Sequence, residues 1–152
     1  MRRALISIIA IASLAIPAAA TAAGKRRHLH FTSTVVSAAT SASEAVYKVH
    51  DSHFGDGAGV QSLQVTGSSG TDSEITYYGN ATVRADGAFT IGTPDANGIA
   101  PVNGSGHDVS GTGKAKGVSS TYTYTGTLDT KTGVVSVTLT GTYTLMSRKK
   151  RA

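Results

Sequence analysis

The sequence predicts an all-β protein, a single antiparallel β-barrel of about eight strands preceded by a signal peptide, with a β-sandwich as the alternative. The clearest observation is a β-hairpin, in which residues 121–128 and 134–145 flank a turn at residues 129–133. Apolar and hydroxyl side chains alternate along both arms, so each strand has one apolar and one polar face. Strand-like runs also recur at short intervals, and no amphipathic helix follows the leader.

Glycines inside the strand-like runs favour the barrel over the sandwich. Gly79, Gly126 and Gly141 stand at interior points of three such runs. Glycine inside a strand is typical of a bend or a bulge. Small closed barrels use inward-facing glycines where the sheet turns its corners.

The first 23 residues have the three parts of a secretory signal. Arg2 and Arg3 precede thirteen residues that are apolar except for two serines, and Pro17 and a run of alanines follow. A membrane-spanning helix needs about 20 apolar residues, and this run is shorter. We expect cleavage near Ala23 and a soluble mature protein that is secreted, periplasmic or extracellular. The alanine-rich leader and the absence of cysteine suggest a bacterial protein.

Residues 24–44 are basic and then rich in serine and alanine, which predicts a linker or a first strand. The barrel domain is predicted over residues 45–146 and a basic tail over residues 147–152. Strand-like runs cover residues 45–50, 60–66, 74–85, 88–92, 98–102, 114–128 or 118–128, and 134–145. Turns are predicted at residues 68–73, at Asp86-Gly87 and at residues 94–98.

The net charge of +5 is unevenly distributed, because the basic excess lies near the two ends of the chain. We expect the tail to bind an anionic cell-envelope polymer or to act as a solvated tail that opposes aggregation. Its basic residues are Arg148, Lys149, Lys150 and Arg151. No motif for specific nucleic-acid binding is present, and residues 106–117 lack the spacing of a phosphate-binding loop.

Two sets of residues are candidates for sites. His50, Asp51, His53 and Asp56 combine imidazoles and carboxylates, the groups that bind zinc and other divalent ions, although histidine and aspartate are also ordinary loop residues. Tyrosines on predicted inner faces are the candidate ligand-binding residues, because an eight-stranded barrel is filled by side chains or holds one small ligand. These are Tyr77, Tyr122, Tyr124 and Tyr143.

Nothing in the sequence identifies catalytic residues. Cysteine is absent, no Gly-x-Ser-x-Gly motif occurs, and Glu44 and Glu74 are the only glutamates. We expect no cofactor.

The glycine-rich residues 104–117, which lead into residues 121–127, resemble a segment before a late strand in the allene oxide cyclase and dirigent barrel superfamily. The chain is also similar to uncharacterised exported proteins of bacteria. The superfamily resemblance implies an eight-stranded barrel whose cavity binds hydrophobic small molecules. Lys114 stands where a bulky apolar residue is usual, and no catalytic residue is carried over.

Together these observations predict a secreted, non-enzymatic module that binds a small apolar ligand or associates with the cell surface. The alternative is an enzyme of the isomerase or cyclase type that acts on a hydrophobic molecule inside the barrel.

Overall fold

The computed structural model describes residues 26–146, which form a closed antiparallel barrel of eight strands. The predicted fold class is confirmed, because the sheet closes into a barrel and does not form the alternative sandwich. Among these residues no helix is long and apolar enough to cross a membrane. The predicted leader and basic tail lie outside the described residues. The strands are β1 (Arg26–Ala39), β2 (Glu44–Asp51), β3 (Gly55–Thr66), β4 (Ser69–Tyr78), β5 (Ala81–Ile91), β6 (Ile99–Gly113), β7 (Ser119–Asp129) and β8 (Val134–Met146).

The barrel is closed by a long seam between its first and last strands. The register runs from Arg26 opposite Met146 to Ala38 opposite Val134. Each of the eight described strands therefore has a neighbour on both sides. Residues 26–39 therefore form the first strand, the second of the two predicted alternatives, and the barrel begins at Arg26 rather than near Ala45.

The connections between strands lie at two ends of the barrel. The open end, as we call it, carries the turns at residues 40–43, 67–68 and 130–133 and the loop at residues 92–98. The closed end carries the connections at residues 52–54, 79–80 and 114–118. Ala115 and Val118 from the last of these are buried, so this loop folds inward and plugs the closed end.

The chain between residues 69 and 91 differs from the sequence prediction. Gly79 and Asn80 form a turn between β4 and β5, where one bent strand over residues 74–85 was predicted. Asp86 and Gly87 lie inside β5 rather than in a turn, and β4 already begins at Ser69. The predicted turns at residues 94–98 and 129–133 are confirmed.

The inner and outer faces of strand β4 are the reverse of those predicted. Its inward side carries Asp72, Glu74 and Thr76, whereas Tyr77 is 54% exposed. Apolar residues occur on both faces of this strand, so alternation alone could not choose between them. Which face of β4 points into the barrel depends on how it pairs with the neighbouring strands.

Aromatic rings fill the interior by lying across glycines of the neighbouring strand. A Cβ atom added to any of these glycines would meet atoms of the ring opposite. Such rings cover glycine backbone that would otherwise lack a packing partner. The pairs are Tyr47 with Gly59, Tyr78 with Gly57, Phe89 with Gly70, Tyr122 with Gly106 and Tyr124 with Gly104.

The core of the closed end is centred on Phe31. Its ring stacks on Tyr143 with ring centroids 4.0 Å apart and meets the edge of Tyr122 at 6.2 Å. Val83 and the plug residue Val118 belong to the same buried cluster. The closed end is therefore densely packed, in contrast to the open end.

We expect Gly104→Ala to lower the free energy of unfolding by about 1–3 kcal/mol, the usual cost of overpacking. The added Cβ would meet the Tyr124 ring and lie 2.6 Å from the Ala88 carbonyl oxygen, which is backbone and cannot move aside cheaply. Urea denaturation measures the change. Gly79→Ala is the control, because its Cβ would meet nothing within 4 Å, and a change within about 0.5 kcal/mol is expected. Equal effects of the two substitutions would contradict the packing argument.

Candidate functional site

An apolar cavity of about 340 Å³ opens at the open end of the barrel. Its rim includes Ala39 from β1 and Ala42 from the first turn. Its walls are mostly branched and aromatic side chains, and Val35, Gln61 and Tyr124 lie deepest along their strands and form the floor. The wall residues are Leu63, Phe89, Val102, Leu128, Val135 and Val137. The volume is within the range of small-molecule sites, about 300–1,000 Å³.

A buried carboxyl group lies one hydrogen bond behind the cavity floor. The Gln61 amide Nε2 donates to Asp72 Oδ2 at 3.0 Å. Asp72 is 7% exposed, and its Oδ1 has no hydrogen-bond partner in the described part of the chain. Gly87 stands opposite Asp72 and makes room for it, since a Cβ there would lie 2.7 Å from Oδ1. Burial raises the pKa of Asp72.

Deeper in the barrel, polar side chains surround a void of about 30 Å³. The Tyr122 hydroxyl donates to Glu74 Oε1 at 3.3 Å across the interior, and the Tyr47 and Thr76 hydroxyls lie 2.6 Å apart. Asp108 also lines the void, and its Oδ2 has no hydrogen-bond partner within residues 26–146. A polar void of this size is large enough to hold one water molecule.

A β-bulge follows Asp108 in β6. Arg84 pairs with Ser110 but Ala85 pairs with Asp108, so Val109 is an extra residue in β6. Val109 is 55% exposed on the outer face. Asp108 continues the inward alternation of Val102, Gly104 and Gly106, and the bulge shifts this alternation after it, so that Gly111 lies on the inner side opposite Val83.

The interior is acidic and has no basic counterpart. Desolvation by burial raises the pKa of Glu74 to about 8, and the neighbouring charge of Asp72 adds to the effect. Burial likewise raises the pKa of Asp108 to about 6. Every lysine, arginine and histidine in the described range is exposed to solvent. Glu74 is therefore mostly protonated at neutral pH.

Asp51 is a fourth inward carboxyl group, and its hydrogen bonds are complete. It accepts bonds from the Ser33 hydroxyl at 2.5 Å and the Tyr143 hydroxyl at 2.8 Å. Its other oxygen accepts bonds from the backbone N–H groups of His53 and Phe54. Asp51 therefore fixes the turn that leads from β2 into β3.

The four candidate metal ligands do not converge on one point. His50 Nδ1 and Asp56 Oδ1 pair at 2.6 Å on the outer surface, whereas Asp51 points into the barrel. The ring of His53 contacts the His30 carbonyl oxygen at 2.8 Å. Within residues 26–146 no three histidine, aspartate or glutamate groups are placed to hold a metal ion. The metal interpretation gains no support from this placement.

The candidate ligand-binding tyrosines are also separated. Tyr124 lines the cavity at the open end, Tyr122 and Tyr143 line the inner void, and Tyr77 faces outward. The sequence interpretation missed Gln61 and Asp72, because Asp72 was placed in a predicted loop. A role of the tyrosines in ligand binding stays a prediction.

We expect the free energy of unfolding to fall as the pH rises from 5 to 8. A carboxyl group whose pKa is raised binds its proton more tightly in the folded chain, so stability is lost between the ordinary pKa of 4.5 and about 8 for Glu74. Each pKa unit corresponds to about 1.4 kcal/mol.

Urea midpoints at pH 5 and pH 8 measure this dependence. Glu74→Gln should flatten it, because the amide does not titrate. Glu44→Gln removes the other glutamate, which is exposed, and should leave the dependence as it is in the parent chain. A Glu74→Gln protein with an unchanged difference between the two midpoints would contradict the assignment.

Comparison of the chain with protein-family models, with curated proteins and with solved structures finds no match. The resemblance to the allene oxide cyclase and dirigent superfamily therefore stays a prediction, and the site must be interpreted from its own geometry.

Proposed function

We propose that this protein is a secreted, non-enzymatic barrel that binds one small apolar molecule in the cavity at the open end. The observation that supports this most directly is the cavity itself, which is open to solvent and lined by apolar side chains. Each Å² of apolar surface removed from water contributes about 25 cal/mol, so a ligand that fills the walls gains its affinity mainly from burial.

The placement of the site fits a binding role. The β1–β2 turn and the loop at residues 92–98 belong to the same end as the cavity, whereas the dense aromatic core occupies the closed end. A rigid barrel supports a preformed pocket, and a preformed pocket requires little ordering on binding. The floor supplies the few polar groups that typically orient a ligand.

The enzyme alternative requires a polar cluster at the cavity mouth. His50, His53 and Asp56 lie at the closed end, away from the cavity. Glu74 has the raised pKa typical of an acid or base, but it lines the inner void rather than the open cavity. These placements favour binding over catalysis.

We expect the mature protein to bind N-phenyl-1-naphthylamine, a neutral apolar probe whose fluorescence increases in apolar surroundings. Ala39→Trp should weaken binding by about tenfold, equivalent to 1.4 kcal/mol, because the indole occupies the rim of the cavity. Ala38→Trp is the matched control, since its side chain is exposed and does not line the cavity. Fluorescence titration measures both. Absence of probe binding, or equal binding by the two variants, would overturn the proposal.

We also propose that residues 1–23 direct export and are then removed. Cleavage near Ala23 would leave the barrel whole, since β1 begins at Arg26. Expression of the full chain in a bacterium should place the protein outside the cytoplasm, with an intact mass that lacks residues 1–23. A full-length chain retained in the cytoplasmic fraction would exclude this route.

A further inference from the structure

We propose that the ligand of the open-end cavity is a lipophilic amine, whose apolar body fills the cavity and whose ammonium group binds the carboxylate of Asp72. This inference rests on the proposed function and assigns the chemical class of the ligand. It depends on three properties of the cavity floor: an unpartnered acceptor, a polar route to it and the sign of the charge around it.

The acceptor is Asp72 Oδ1. Buried carboxylate oxygens normally have hydrogen-bond partners, because an unpaired one costs the full desolvation of the group. Asp72 is more than nine-tenths buried, and within residues 26–146 only its other oxygen is bonded, to Gln61. A ligand that donates a hydrogen bond here would satisfy the group that the protein leaves unpaired.

Gln61 provides the route from the cavity to this carboxylate. Its side chain lines the cavity floor and donates to Asp72 from there. An ammonium group can bind the free Oδ1 or replace the Gln61 amide at Oδ2. Leu63 stands opposite Asp72 in the register and lines the wall above it, so the apolar body of the ligand continues directly from the head group.

The charge around the floor favours a cation. Asp51, Asp72, Glu74 and Asp108 all point into the barrel, and every basic side chain in the described strands is exposed to solvent. A cation that enters this interior is attracted by the ionised carboxyl groups, whereas a carboxylate ligand is repelled by them. Glu74 is mostly protonated at pH 7 and adds little to either effect. A neutral alcohol satisfies the hydrogen bond but not the charge. Amine, alcohol and carboxylate should therefore bind in that order.

The test compares three ligands with the same eight-carbon chain: octylamine, octan-1-ol and octanoate. Each is titrated against the mature protein at pH 7 with N-phenyl-1-naphthylamine bound, and displacement of the probe is measured. We expect octylamine to displace the probe at a concentration about tenfold lower than octan-1-ol, a difference of 1.4 kcal/mol, and octanoate to be the weakest.

Asp72→Asn keeps the shape of the side chain and removes its charge. It should reduce the advantage of octylamine over octan-1-ol to within about twofold, because the charged part of the hydrogen bond is lost. Asp56→Asn is the control, since that carboxylate is exposed at the closed end, and it should leave the advantage unchanged.

A second measurement applies to the unsubstituted protein. In a ¹³C NMR spectrum, the carboxyl carbon of Asp72 should shift on addition of octylamine and shift less on addition of octan-1-ol, which donates a hydrogen bond but carries no charge. Equal displacement by amine and alcohol, or an Asp72 chemical shift that does not change on addition of the amine, would overturn the amine proposal. Binding of the probe would in that case still support the cavity as a binding site. Failure of the probe itself to bind would instead remove the proposed function.

Discussion

The packing of aromatic rings across strand glycines is the constraint on which the rest of the barrel depends. A barrel of eight strands has an interior just wide enough for side chains. A large aromatic ring therefore fits only where the facing residue of the neighbouring strand is glycine and has no side chain. Tyr47 over Gly59 and Tyr124 over Gly104 show the arrangement. The same pairs decide the strand registers, because a shift by one residue would put two side chains in the same place.

The polar interior is a second constraint, and stability alone does not account for it. Asp51 has four hydrogen bonds and fixes a turn, so its burial has a structural reason. Within residues 26–146, Asp72 and Asp108 each have one oxygen without a hydrogen-bond partner, and burial raises the pKa of both. Buried carboxyl groups without a hydrogen-bond partner destabilise a fold. Proteins typically keep such unfavourable groups at functional sites. One of these two carboxyl groups, Asp72, lies behind the floor of the open-end cavity.

Local patterns in the sequence predicted the parts of the fold whose inner face is apolar. The β7–β8 hairpin is such a part, because alternation and turn residues agree there. The prediction was wrong for β4, since Asp72 and Glu74 face inward while Tyr77 faces outward. Alternation assumes a dry interior, and this one is partly polar. The cavity floor was missed for the same reason, as its position depends on Gly87 in another strand.

The seam between β1 and β8 has a consequence for how the chain is made. His28 and Thr144, which are 116 positions apart in the sequence, lie side by side at this seam. Contacts between such distant segments incur the entropy of loop closure before they stabilise anything, and they slow folding. The barrel consequently cannot close before β8 has been synthesised. Loss of that one strand exposes both β1 and β7 to pairing with other molecules.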